Sequence, residues 1–146
     1  ERYGKTGGVG LGFVRGFTLR RGAMAYSMSH DHHNIVVIGC NDADMALAVN
    51  TVAELHGGLA VALEGQVLDS MALPIGGLMS EDTAEAVMAQ LDQMNLAAAR
   101  TGCTLPAPFM TLSFISLPTV PELGITDLGL VDVNAHRLIP LEAEEL

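Results

Sequence analysis

Residues 29–34 read Ser-His-Asp-His-His-Asn and lead directly into the apolar run Ile35-Val36-Val37-Ile38, so three of the five histidines stand beside an aspartate at the entrance to a buried strand. Imidazole changes charge near neutral pH and is a common metal ligand, and a rigid element that ends in such groups presents them at its tip instead of within the core. If the segment is extended, period two places His30 and His32 on one face with Asp31 and His33 on the other. A His-x-His pair on one face suits a divalent metal, with Asp31 or another carboxylate as a third ligand. Local bonding is the alternative, Asp31 orienting a histidine and Asn34 capping a turn, and on these residues alone both readings stand. Ser27 and Ser29 lie close by, but no Gly-x-Ser-x-Gly elbow accompanies them and no nucleophile is apparent.

The elements that must hold this cluster follow from local pattern. Residues 23–29 predict a short strand entering it, and residues 34–40 a strand leaving it. Before them, residues 5–17 alternate Gly8, Gly10 and Gly12 with Val9, Leu11 and Phe13, which predicts a strand with one face stripped for another backbone. The glycine spacing matches no phosphate-binding frame. After the cluster, Asn41 caps a helix with Asp42 and Asp44 in its first turn, apolar Met45, Val49, Val52 and Leu55, and an end near His56 before Gly57-Gly58. Residues 59–63 and 66–73 flank Glu64-Gly65 as a hairpin. Ser80 caps a second helix, with Glu81 and Asp82 first, a stripe of Ala84, Val87, Leu91, Met94 and Ala98, and Gly102 past its end. Met88 and Met94 read as core filler. Prolines 106, 108, 118 and 121 predict a buried extended or irregular segment over 103–121. Residues 129–133 and 137–141 form a hairpin across Asn134, Ala135 and His136, before an acidic tail at 142–145. His56 and His136 are then a helix-end and a turn residue.

These elements predict one α+β domain over 1–146: a mixed, largely antiparallel sheet of about six to eight strands with two main helices packed on it. The 146 residues are enough to bury roughly two thirds of the surface of the unfolded chain. A net charge of −10 and a pI near 4.6, with the seven Lys and Arg scattered, argue against nucleic acid. The mean hydropathy of +0.36 comes without an apolar run near the roughly 20 residues of a membrane span. Cys40 and Cys103 have no close partner and read as reduced core thiols. A start at Glu1, without methionine or leader, suggests a piece of a longer polypeptide, and the high apolar content fits a face docked on a neighbouring domain.

Several blocks, in order and spacing over nearly the whole chain, carry a resemblance: Phe13-Val14-Arg15-Gly16-Phe17; His-Asp-x-His-Asn-Ile at 30–35; Gly39-x-Asn41-Asp42-x-Asp44-Met45-Ala46-Leu47-Ala48-Val49-Asn50; Leu73-Pro74-Ile75-x-Gly77-Leu78-Met79-Ser80; and Gly102-Cys103-Thr104-Leu105-Pro106-x-Pro108-Phe109-Met110-Thr111-Leu112-Ser113-Phe114. Together they resemble the C-terminal domain of bacterial-type adenine deaminases, in the amidohydrolase superfamily. The resemblance implies hydrolysis of adenine to hypoxanthine and ammonia by a cytoplasmic, homo-oligomeric enzyme. Its (β/α)8 barrel, absent here, holds one or two divalent metals (manganese, iron or zinc) that activate water. His30, Asp31, His33 and Asn34 match the block and are expected to face the barrel's active-site mouth or an interface beside it. His32 stands where the family usually has a small polar residue, so a His30–His32 metal pair would be private to this sequence. A docking or oligomerisation domain, and an independent metal- or small-ligand-binding module at 30–33, are the alternatives.

Overall fold

The computed structural model describes residues 1–142. Ten elements follow in chain order: β1 (Ala23–Tyr26), β2 (Val36–Gly39), α1 (Asp42–Glu54), β3 (Gly58–Leu63), β4 (Gln66–Ala72), α2 (Ala84–Arg100), α3 (Pro108–Ile115), β5 (Leu123–Thr126), β6 (Gly129–Asp132) and β7 (Arg137–Ile139). They build two antiparallel sheets, one ordered β2-β1-β3-β4 and one β5-β6-β7. The α+β class is as expected. Two details differ: the strands split into two sheets, and no described pair is parallel.

The larger sheet is a slab with unlike faces, and side-chain size decides what lies on each. Alternation along β1 sends Ala23 and Ala25 one way and Met24 and Tyr26 the other, and all four are buried. On the first face Ala23, Ala25, Ala60 and Ala62 meet Ala48 and Val52 of α1, so small side chains let the helix lie close. On the opposite face Met24, Tyr26, Leu59, Val61 and Met71 pack with Met94 and Ala98 of α2 and with Phe109 and Leu112 of α3. The Tyr26 and Phe109 rings lie 6.5 Å apart in a tilted pair.

The cap predicted at Asn41 is present: its side chain accepts from the Asp44 N–H at 2.8 Å. The Asp44 carboxylate reaches further, accepting from the Glu64 and Gly65 N–H groups at 3.2 and 2.8 Å. It thereby ties the start of α1 to the β3–β4 turn, where Glu64 and Gly65 both have positive φ. Hydrogen bonds from Asn41 first, then from Gly65 and Glu64, hold its carboxyl below the usual carboxylate value.

Five expectations are corrected. The second helix is capped by Thr83, whose hydroxyl accepts from Ala86 N–H, because Ser80 is engaged in a bend with Asp82. Of Met88 and Met94 only the latter fills the core, Met88 being exposed. Of the two cysteines only Cys103 is a core thiol, because Cys40 follows the end of β2 and is exposed. Residues 108–115 are helical: Pro108 sits in the first turn, where its missing N–H costs nothing and its fixed φ favours the helix. Residues 5–17 lie in no described strand, and β5 was not anticipated. The acidic tail's residues 143–145 lie outside the described residues. Among the described residues no helix is long and apolar enough to cross a membrane.

Candidate functional site

The connection from β1 to β2 carries the histidine cluster. Tyr26 pairs with Val36, so residues 27–35 form the loop at one end of the large sheet. The end of β4 lies at that same end, since Tyr26 also pairs with Leu59, and Leu59 with Met71. The loop is a turn, closed by the His33 N–H donating to Ser29 O at 2.8 Å, with His33 at φ +54°. A turn does not keep period two, so the one-face arrangement of His30 and His32 expected of an extended segment is corrected.

The two side chains go to different partners. His30 is exposed, donates from Nδ1 to Met28 O at 3.3 Å, and lies with its ring 6.3 Å from that of Phe114. Its Nε2 makes no hydrogen bond among the described residues. His32 is half-buried and has both nitrogens engaged: Nε2–H donates to Ser116 O at 3.2 Å, and Nδ1 accepts from Asn34 N–H at 3.1 Å. That pattern requires the neutral ring, and burial, the largest influence, lowers its pKa against the opposing pull of the Ser116 carbonyl and Asp127. As placed, His32 has no lone pair for a metal. Among the described residues no three His, Cys, Asp or Glu side chains converge on a common point.

Asn34 is buried and central. Its Oδ1 accepts from Arg2 N–H and its Nδ2 donates to Asp127 Oδ1, both at 3.4 Å. Asp31 is exposed, and His33 is half-buried with Nδ1 enclosed and without a hydrogen-bond partner among the described residues. Beneath the turn the Tyr26 and Ser29 hydroxyls are buried and likewise unbonded, although Tyr26 OH lies near the Ser29 and Ser113 hydroxyls; burial raises the phenol's pKa. The predicted group therefore divides. His30 and Asp31 are presented outward, while His32 and Asn34 are the fasteners.

Sequence reasoning missed the residues that brace the turn. Ser27 Oγ donates to Gly77 O at 2.6 Å and accepts from Gly58 N–H at 2.8 Å. The Arg2 guanidinium donates to Gly76 O at 2.6 Å. Gly77 has positive φ, and a Cβ there would strike that guanidinium. These contacts bring the 73–80 block and the arginine at position 2 to the same end of the sheet as the cluster. The signal available was the 73–80 block itself, whose two glycines had no explanation as a plain connector.

The profile described as "Adenine deaminase C-terminal domain" matches residues 1–137. The chain is 62% identical over 144 residues to a protein named adenine deaminase from Desulforamulus reducens, covering 99% of this chain and 24% of that protein. It is 49% identical over 142 residues to an adenine deaminase of Dehalococcoides mccartyi and 51% over 140 residues to one of Cereibacter sphaeroides, in each case spanning 25% of the relative's length. With such matches extending from the arginine at position 2 through the histidine turn to the three-stranded sheet, the chain belongs to the adenine deaminase C-terminal domain family.

Proposed function

We propose that this chain, as a single domain, completes or covers the mouth of an active site carried by a preceding amidohydrolase barrel, in a cytoplasmic, homo-oligomeric enzyme that hydrolyses adenine to hypoxanthine and ammonia. The observation that carries the reading is the alignment with adenine deaminases over nearly the whole chain, of which this chain is about a quarter. The form of the turn adds support: a braced loop whose inner residues are fixed and whose His30 and Asp31 are presented outward. The divalent metal (manganese, iron or zinc) and the water it activates belong to the barrel in this reading, because the ring nitrogens of His32 are already used within this chain. The chain's own part is to hold or pass a proton through His30 or Asp31, to position groups through His33 and Asn34, and to exclude water from the mouth.

In the full-length polypeptide, His30→Ala and His33→Ala should each lower kcat for adenine by at least about tenfold, a barrier change of roughly 1.4 kcal/mol. Unchanged kcat, with only melting or assembly altered, would remove the turn from catalysis.

A further inference from the structure

Residues 9–14 lie in no regular element, have no positive φ and alternate sharply in exposure. Gly8, Gly10 and Gly12 face the body, where an added Cβ would strike the Asp127 and Thr126 carbonyls and the Ile125 side chain. Val9, Leu11 and Phe13 point away at 80%, 61% and 91% exposure. Among the described residues the backbone N–H and C=O groups of 9–14 make no hydrogen bond. Period two, a stripped inner face and an apolar outer face are the marks of a strand, and only its ladder is missing.

The surroundings repeat the pattern. A groove of about 360 Å³ runs beside the arm, lined by Phe13, Val14 and Arg15 together with Ile115, Leu123 and Ile125. The three-stranded sheet leaves Leu123, Leu128 and Leu138 exposed and adds only Gly124 to the buried residues. A thin sheet so exposed is marginal without cover.

We infer that residues 9–14 form a strand whose pairing partner lies in the catalytic portion of the same polypeptide, which also closes the groove. Length argues for that occupant, because the chain spans only 24% of a relative 62% identical to it. So does continuity with the histidine turn. Gly8 rests on the backbone of Asp127, whose carboxylate receives Asn34. Ile115 lines the groove while its neighbours Phe114 and Ser116 meet His30 and His32. A partner paired along the arm would therefore lie beside the turn. The identity of that partner rests on the function proposed above; the pairing itself does not.

Hydrogen exchange read by mass spectrometry on the full-length polypeptide tests this. The amides of 9–14 should exchange at least about tenfold more slowly than an exposed loop, both in the assembled protein and after dilution to single chains. Exchange at loop rates would overturn the inference. Protection lost on dilution would also overturn it, making a second copy the occupant. Leu11→Pro, which removes one donor, should abolish protection locally while β1 and β3 stay protected. The readout does not pass through activity, so protected amides combined with unchanged kcat in His30→Ala would sink the catalytic reading and leave the docking intact.

Discussion

His32 shows how one side chain can be fixed by its hydrogen bonds alone. With Nδ1 accepting from Asn34 N–H and Nε2–H donating to Ser116 O, protonation would place a second donor against the Asn34 N–H. Burial works in the same direction, so the folded pKa lies below 6.5. The unfolded chain then binds the extra proton at higher pH than the folded chain does. Between about 6.5 and the lowered folded value, stability therefore rises with pH and is lost as the solution is acidified. The melting temperature should fall on acidification through that window, and less steeply in His32→Gln; equal slopes would show that His32 does not titrate as its contacts require. His30 differs by its surroundings: with one nitrogen on Met28 O and the residue exposed, it is the imidazole of the turn open to a neighbouring surface.

Among the elements, β1 is the central one, buried along its whole length between β2 and β3 and covered on both faces. Its Met24 is fully enclosed among Leu59, Val61 and Met94. Met24→Ala should cost roughly 2–5 kcal/mol, seen as a lower urea midpoint with an unchanged slope. A shift within experimental error would mean that the large-residue face is not the core. Strands β1 to β4, the Asn41 cap, the Glu64-Gly65 turn and the last hairpin were legible because each is signalled by its own residues: alternation, a capping amide, or a turn pair. The turn at 29–33 was not, since extended and turned backbones suit the same polar residues and the choice is made by Ser29 O, Ser116 O and Asp127, the last of them far along the chain. Helix α3 was missed because Pro108 was read as a breaker, although in a first turn it is a starter. The arm at 9–14 showed the right periodicity, but a ladder also needs a partner, and a partner outside the chain leaves no mark in it.

On the scale of the whole molecule, the braced geometry gathers at one end. The histidine turn, the 73–80 connector with its two glycines, the Arg2 guanidinium, the end of α3 and Asp127 meet there, and the apolar groove and arm continue from them. The opposite end holds the β3–β4 turn and its Asp44 tether, which serve the fold. In the proposed function this face meets a larger neighbour, and the chain's span of about a quarter of its relatives supplies room for that neighbour. There, in the same proposal, the face contributes to the neighbour's catalysis. Adenine turnover should be measured in the full-length polypeptide and in one lacking residues 1–146, with the metal content of each determined alongside. In the shortened protein kcat should be reduced at least about tenfold with metal retained; equal kcat would contradict a catalytic contribution from this face.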